Sequence, residues 1–482
     1  MLHTKDINNL SELTTTFCAN HNKAEFFTNY ISILKLGKLH AIFQSVKQKG
    51  ISSMLLLDIL ICFPWIDQNN VHSFIGSKWQ SFANYGKDVY YRFKKNPKIN
   101  WRNLLLGVVI QKLLRVADDA SNGEVKAFIF DDTTIEKTGR KIEGVSKVWN
   151  HVIGRSVLGY QLLVMGYYDG VLFIPVDFSF HREKGKNSKK PYGLKAKHLK
   201  QQYRKKTCKK EAGFQRRKEL NSSKIASSVK MLKGAIKKGI VADYVLTDSW
   251  FTCWEMVKTA KDNGLKYIGM FSKVKTKFTF RGKKMTYKEI RKYSRKHASR
   301  NKKFNLFYIR TVVEWNGTPV VLYFARKGKH GNWKVLLSTE LSANFTKTVE
   351  TYQLRWSIEV FFKESKQLLN LGKSQSTDFD VQIADTTLVM MQYIFLSIKK
   401  RMDSYQTIGK LFENTKAECL EVKLHQRLIA LLIAIVTIID ELFAEVDTQK
   451  MITKMIHNPE YFERIKRIFE TDPNPKITPK AA

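Results

Sequence analysis

The spacing of apolar residues along the 482-residue chain changes twice. In residues 1–122, apolar positions recur every three or four residues, most clearly at 26–39, 54–62 and 104–116. This spacing predicts amphipathic helices, and Asn100 or Asn103 is a candidate N-cap for the last of them. Short apolar runs follow from residue 123, and helical spacing returns after 346. The pattern therefore predicts helical N- and C-terminal regions around a mixed α/β centre.

The first short apolar run, residues 125–134, ends in two acids, Asp131 and Asp132. It predicts a buried strand with carboxylates at its C-terminal end. Residues 158–168 and 171–180 predict two further strands. They are joined by a hairpin turn at Tyr168-Asp169-Gly170. We expect these three strands to be neighbours and antiparallel.

A helix, a strand, a second helix and a final strand are predicted next, at residues 223–238, 242–248, 251–263 and 266–272. The apolar face of the first helix is regular, and Gly239 ends it. The strand at 242–248 again ends in an acid, Asp248. Two predicted strands thus finish in carboxylates.

Residues 273–345 change character again and predict a mostly β insertion. Its strands are expected at 278–280, 304–314, 318–326 and 333–338, with Trp315-Asn316-Gly317 as a hairpin turn. Helices are predicted beyond it at 382–401, 424–444 and 459–469. The expected organisation is a helical region at 1–122, a first part of the core at 123–272, the insertion at 273–345, the end of the core at 346–400 and a helical region at 401–482.

Charge narrows the class of partner. The chain has 83 Lys and Arg against 43 Asp and Glu, a net charge of +40, and such an excess favours a polyanionic partner such as nucleic acid. The densest basic stretch, residues 181–221, has 16 basic residues against three Glu, and we expect a surface excursion. A solvated loop and a phosphate contact explain that stretch equally well. Aromatic residues interleaved with basic ones at 79–101 suggest a nucleic-acid contact or a basic helical surface.

Other classes of protein are disfavoured. Five scattered cysteines without a CxxC pair argue against a disulfide framework and a zinc site, and they fit a reducing cytosol. The N-terminus lacks the pattern of a signal peptide. The longest apolar run, residues 428–439, is shorter than the roughly 20 residues that span a bilayer.

Residues 352–366 carry the most specific pattern. They predict one amphipathic helix in which Tyr352, Arg355, Glu359 and Lys366 share a stripe, because their spacings of three, four and seven match the helical period. The opposite side is apolar and faces the core. A solvated surface helix also carries Glu and Lys at such spacings.

The series Tyr-(2)-Arg-(3)-Glu-(6)-Lys resembles the signature of the DDE transposases of bacterial insertion sequences, specifically the insertion-sequence-four type. The resemblance covers roughly residues 125–400. It implies a ribonuclease-H-like core, which the predicted order β-β-β-α-β-α-β also resembles. It further implies a mostly β insertion before the glutamate, an N-terminal region that contacts the ends of the element, and a C-terminal region that supports a dimer on paired ends.

Three carboxylates, Asp132, Asp248 and Glu359, are the candidate catalytic and metal-binding residues. Hard oxygen ligands from separate segments suit two Mg²⁺ or Mn²⁺ ions, which support in-line displacement at phosphorus. Because side chains alternate along a strand, one of Asp131 and Asp132 should face the metals. The family pattern, with the acid directly before the Thr pair, selects Asp132, and Asp131 is the competitor.

The resemblance also implies that Tyr352, Arg355 and Lys366 hold the DNA end. A displaced base could stack on Trp250, Trp315 or Trp333, although most tryptophans are core residues. His151 is interpreted as structural. The predicted function is a cytoplasmic, nucleoid-associated DNA transposase without a membrane partner. A metal-dependent nuclease of the same fold and a non-enzymatic DNA-binding protein derived from a transposase are the alternatives.

Overall fold

The computed structural model describes residues 43, 46, 50–66, 68–77, 85–106, 125–328, 330–402, 407–414 and 416. The chain forms two compact units, one of Leu36–Pro64 with Asn69–Leu411, the other of Met1–Lys35, Trp65–Gln68 and Phe412–Ala482. The sheet and the candidate site belong to the first. The helices predicted at 26–39, 424–444 and 459–469, the apolar run at 428–439 and most of the helix at 104–116 lie outside the described residues.

The described N-terminal part of the first unit is helical, as predicted. Its helices are α1 Ser53–Cys62, α2 Val71–Phe74, α3 Lys87–Lys94 and α4 Trp101–Asn103, and a 3-10 turn covers Phe63–Ile66. The Asn100 side chain accepts a hydrogen bond from the backbone of Asn103, which confirms Asn100 as a cap. Helices α1, α3 and α4 pack against a long later helix, α12 (Phe379–Met402), and α2 packs against α3. Lys94 of α3 forms an ion pair with Asp385 of α12.

The centre of the fold is one mixed sheet of twelve strands. They are β1 Ala127–Glu136, β2 Ser146–Asn150, β3 Arg155–Tyr168, β4 Phe173–His181, β5 Tyr244–Thr247, β6 Lys266–Met270, β7 Lys277–Phe280, β8 Lys283–Thr286, β9 Ser299–Asn301, β10 Leu306–Trp315, β11 Thr318–Lys327 and β12 Lys334–Ser338. The path β2-β3-β1-β5-β6-β12-β11-β10-β7-β8 runs through the sheet, and β4 and β9 pair with β3 and β10.

The order of the core elements agrees with the sequence prediction except for β2, which was not predicted. β3 pairs antiparallel with β1 and with β4, whereas β5 is parallel to β1 and to β6. Three helices join or flank these strands: α7 Lys224–Lys237, capped by the Ser223 side chain, α8 Trp254–Asp262, and α11 Trp356–Leu368. This α/β arrangement is consistent with a ribonuclease-H-like core.

The insertion is mostly β, but it does not form a sheet of its own. Strand β12 pairs antiparallel with β6, so β7–β12 extend the core sheet. The insertion also contains a helix absent from the sequence prediction, α9 Tyr287–Tyr293, whose capping box links Thr286 and Glu289. The predicted turn between β10 and β11 is confirmed, because Asn316 and Gly317 both have positive φ, at 49° and 75°.

The basic stretch 181–221 was predicted as a surface excursion, and that prediction is wrong for part of it. It contains the short helices α5 Ala196–Lys200 and α6 Ala212–Glu219 and a 3-10 turn at Pro191–Gly193. Arg217 forms ion pairs with Glu143 and Asp380, at 2.8 Å each. Arg217 is half-buried, and both of its acid partners are distant in sequence, so composition alone suggested a solvated loop.

A second buried polar group makes the fold sensitive to acid. His181, at the end of β4, lies 2.7 Å from the Ser179 hydroxyl and 3.0 Å from the carbonyl oxygen of Ser222. Burial lowers the pKa of His181 from 6.5 to about 4, and the positive charge of Lys224 contributes to the decrease. The hydrogen bond to Ser222 and the negative charges of Glu219 and Asp132 partly offset this decrease.

We therefore expect stability to fall as the pH drops from 6.5 towards 4, since the unfolded chain takes up the histidine proton first. A shift of this size corresponds to about 3 kcal/mol. In His181→Gln, the loss of unfolding free energy between pH 7 and pH 4.5 should be smaller than in the wild type by about 2 kcal/mol, because pH 4.5 lies above the folded-state pKa of about 4. Denaturant titrations at the two pH values measure the difference, and equal losses in both proteins would refute this role of His181.

Within the described ranges, no helix is long and apolar enough to cross a membrane.

Candidate active site

Two aspartates come together at one level of the sheet because β1 and β5 are parallel. Their pairing runs from Ala127 opposite Tyr244 to Phe130 opposite Thr247. Asp131 and Asp248 are the next residues on the two strands. The sequence prediction that β1 ends at its acids is wrong, since β1 continues to Glu136 along β3. Asp131 and Asp132 therefore follow directly after the part of β1 that pairs with β5.

The segment predicted as one helix at 352–366 is two helices. Tyr352 lies near the end of α10 (Phe345–Gln353), and α11 begins at Trp356. Leu354 and Arg355 form a tight turn between them, in which the Ser357 hydroxyl donates a hydrogen bond to the Leu354 carbonyl. Both turn residues keep helical backbone angles. The predicted spacing of the motif therefore still brings its side chains to one side.

Arg355 joins two of the carboxylates. Its guanidinium lies 2.9 Å from Asp131 and also forms an ion pair with Glu359, one turn further along. The ring of Tyr352 lies 5.8 Å from the guanidinium. Burial raises the pKa of Tyr352 to about 12. Tyr352 and Glu359 thus meet at Arg355, and Arg355 alone of the three contacts Asp131.

Lys366, the fourth motif residue, contacts the same face of β1. Its ammonium donates to the Thr133 hydroxyl at 2.7 Å, and burial lowers its pKa. Asp131 and Thr133 are two residues apart and therefore share one face of the strand. On the other side of α11, Ile358 and Phe361 are fully buried, as the apolar stripe predicted. The helix thus turns its polar face towards Asp131 and Thr133.

Asp132 points to a different set of residues. Its carboxylate lies 3.0 Å from the ammonium of Lys224, the first residue of α7. That ammonium also lies 4.0 Å from the ring centre of Trp250, whose side chain is 45% exposed. Lys224 was missed by the sequence analysis. Its position at a helix start carries no signal of a site, since only folding brings it to Asp132.

Asp248 has a structural role along with its place in the site. Its carboxylate accepts hydrogen bonds from the backbone of Trp250 at 3.0 Å and of Phe251 at 3.1 Å. Burial raises the pKa of Asp248, and the negative charge of Asp132 raises it further. The two backbone hydrogen bonds and the positive charge of Arg355 lower it, but by less. Capping a turn and contributing to a charged site are compatible, because a carboxylate has free lone pairs after two such bonds.

The three aspartates are close enough to affect one another. Burial raises the pKa of Asp131 to about 7; Arg355 opposes the rise, and the charges of Asp248 and Asp132 add to it. Crowded, half-buried carboxylates suit a hard divalent cation by the chemistry of their oxygen donors. In the part of the chain that is described, however, no three acidic, His or Cys side chains are grouped closely enough to hold a metal ion. Arg355 lies between Asp131 and Glu359 and pairs with both, and Lys224 pairs with Asp132.

Other residues singled out from the sequence are placed as follows. Trp315 is buried in an aromatic cluster with Trp254 and Phe278, so a base-stacking role for it is excluded. Trp333 is half-buried beneath the Arg326 guanidinium. His151, interpreted as structural, is exposed in the turn between β2 and β3, where its ring lies edge-on to that of Trp149.

Residues 84–302 match the family described as DDE superfamily endonuclease. This span is under half of the chain; it includes Asp131, Asp132 and Asp248 and ends before Glu359. No curated protein gives a significant match. DDE nucleases act on DNA and generally use divalent metal ions. Together with the mixed sheet and its acids, the match supports a DDE-type family for this chain, with nuclease or transposase activity in general.

Proposed function

We propose that the protein is a DNA transposase of the insertion-sequence-four type, which cleaves the ends of an insertion sequence and joins them to target DNA. The observation that carries this proposal is the meeting of two segments. One is the acid-bearing stretch of β1 beside Asp248, and the other is the Tyr-Arg-Glu-Lys segment. Their residues are more than 200 positions apart, yet Arg355 and Lys366 contact β1 directly.

In this proposal, Asp248, Glu359 and one acid of β1, which the motif gives as Asp132, hold two Mg²⁺ or Mn²⁺ ions. When bound, such a pair activates the attacking hydroxyl and stabilises the leaving oxygen. The carboxylates supply charge and oxygen ligands, and Asp248 is held in place by its two backbone hydrogen bonds. Water as the nucleophile gives cleavage, and a DNA 3′-hydroxyl gives strand transfer.

Tyr352, Arg355 and Lys366 bind the DNA end. Arg355 donates from one guanidinium nitrogen to Asp131 and from the other to Glu359, and the same two nitrogens form the fork with which a guanidinium binds a phosphate. A phosphate that takes over Arg355 frees both carboxylates for cations. Loading of the site is then linked to the presence of DNA.

The partners follow from this function. They are double-stranded DNA, as element end and as target, and a second copy of the chain on paired ends. A cytoplasmic protein at the nucleoid fits these partners. The net charge of +40 supports binding to DNA and suits the alternatives equally well.

An excision and joining assay tests the proposal. The donor is a plasmid that carries the coding sequence with its native flanking DNA, which includes the ends of an insertion sequence if the gene lies in one. The protein is incubated with donor, target plasmid and Mg²⁺, and junctions between donor and target are sequenced. We expect joined products that depend on Mg²⁺ and are absent with EDTA.

The alternatives give different products. Cleaved donor without joined target would assign a nuclease of the same fold. Binding without metal-dependent cleavage would assign a DNA-binding protein. Either result overturns the transposase proposal.

A further inference from the structure

An apolar surface lies at the end of the β2–β3 hairpin, outside the site described above. The hairpin tip, residues 149–155, includes the four-residue turn 151–154. Val152 is 94% exposed, and Trp149 and Ile153 are 42% and 45% exposed. Single exposed apolar residues are common, but two adjacent β-branched residues beside a tryptophan at a protruding turn form a patch that indicates a binding surface.

The hairpin tip is held firmly at its base. The Glu183 carboxylate accepts a hydrogen bond from the Trp149 backbone at 3.2 Å, and the Gln161 amide donates to the Trp149 carbonyl at 2.7 Å. The Asn150 amide donates to Glu136, the last residue of β1, at 3.0 Å. These bonds hold the β2 side of the tip, at Trp149 and Asn150, against β1, β3 and the residue that follows β4 by two.

A strongly basic stretch adjoins the hairpin. The basic segment, residues 184–200, has seven exposed lysines and no acid: Lys184, Lys186, Lys189, Lys190, Lys195, Lys197 and Lys200. It packs closely on β2, because a Cβ at Gly193 would lie 2.6 Å from the Cβ of Lys147. Gly193 has φ +66°, which also favours glycine. Lys147 and Trp149 lie on the same face of β2, so the basic segment adjoins the apolar tip, and the two together make a mixed surface.

We propose that this surface binds duplex DNA beside the cleaved end, with the lysines on phosphates and Val152 and Ile153 inserted between bases. Apolar side chains that enter a groove unstack base steps, and basic neighbours position the backbone. Charge selects DNA as the occupant, since the lysines suit a polyanion. This proposal rests on the proposed function for the identity of the end, while DNA contact at the tip is independent of cleavage.

The strand register predicts where the tip meets the DNA. Asp131 pairs with Val164 of β3. Arg155, the first residue of β3 and the nearest residue of the tip, lies nine residues before Val164. At about 3.3 Å per residue this is roughly 30 Å, or about nine base pairs at 3.4 Å each. The bases contacted by the tip should therefore lie within one helical turn of the cut.

Photo-crosslinking tests contact directly. The full-length protein carries p-benzoylphenylalanine at position 152 or, as a control, at position 241, where Val241 is also exposed at 72%. The probe is a labelled duplex of about 30 base pairs of arbitrary sequence, bound at low salt without metal. We expect crosslinking to DNA from position 152 at several times the yield from 241. Equal yields, or crosslinks from 152 to a second protein chain, would overturn the proposal.

A second measurement tests insertion. The same duplex contains 2-aminopurine, whose fluorescence rises when its base is unstacked. Wild-type protein should raise the fluorescence, and Val152→Ser with Ile153→Ser should lose most of the rise while binding weakens by about tenfold or less. Val241→Ser should match the wild type.

Three outcomes separate DNA insertion, membrane binding and cleavage. An unchanged fluorescence rise in the double variant would refute insertion. Binding of the wild type, but not the double variant, to phosphatidylglycerol vesicles in preference to the duplex would assign the tip to a membrane surface instead. If the wild type crosslinks and unstacks DNA but never cleaves it, DNA binding by this surface is supported and the transposase proposal is refuted.

Discussion

Glu359→Gln is expected to abolish DNA cleavage while leaving DNA binding nearly intact. The amide keeps the shape of the side chain and removes the negative charge that a divalent cation requires. Loss of a central catalytic group typically lowers turnover by about a thousandfold or more. Cleavage of the donor plasmid in Mg²⁺ measures the first effect. The shift of a labelled donor fragment in gel electrophoresis without metal measures the second.

A matched control is available on the preceding helix. Glu350→Gln removes a carboxylate from α10 that forms an exposed ion pair with Lys303. Exposed ion pairs contribute little to stability, so this variant should cleave and bind as the wild type does. If Glu359→Gln lost binding and cleavage to the same degree, Glu359 would be needed for binding or folding, and its proposed role as a metal ligand would fail.

The sequence predicted the parts of the fold that depend on local pattern. The strands around residues 127–136, 155–168 and 173–181 follow from short apolar runs, and α7 follows from its period and from the Ser223 cap. The turn at Asn316-Gly317 follows from the ease with which these residues adopt positive φ. In each case neighbouring residues determine the structure.

Features that depend on distant partners could not be read from the sequence in this way. Strand β2 is short and is defined by its pairing with β3. Arg217 looks like a surface residue until Glu143 and Asp380 pair with it. The helix predicted at 352–366 is interrupted before α11 by a tight turn at Leu354 and Arg355. Both residues keep helical backbone angles, so the spacing of side chains does not reveal the interruption.

The largest gap concerns which face of β1 carries the chemistry. Alternation along a strand shows that Asp131 and Asp132 point in opposite directions, but it does not show which face meets Glu359. The family pattern selects Asp132. The contacts favour Asp131, which is joined to Glu359 through Arg355, whereas Asp132 is bound to Lys224.

Asparagine substitutions at the two positions separate these assignments. We expect Asp131→Asn to lower Mg²⁺-dependent cleavage by at least about a hundredfold and Asp132→Asn by less than about tenfold. Both changes keep the size of the side chain and remove one charge, so each variant is the matched control for the other. Initial rates of donor cleavage at equal DNA occupancy give the comparison. The reverse order of effects would restore Asp132 as the catalytic acid.

Loss of activity in Asp131→Asn has a second possible origin, because Asp131 also positions Arg355. A cysteine distinguishes the two roles, since thiolate is a poor ligand for Mg²⁺ and a better one for softer divalent ions. If Asp131 is a metal ligand, Asp131→Cys should be inactive with Mg²⁺ and regain part of its cleavage with Mn²⁺. If Asp131 acts through Arg355 alone, the cysteine variant should be equally weak with either metal. Asp132→Cys should respond to both metals as the wild type does, because the carboxylate of Asp132 faces Lys224 rather than Glu359.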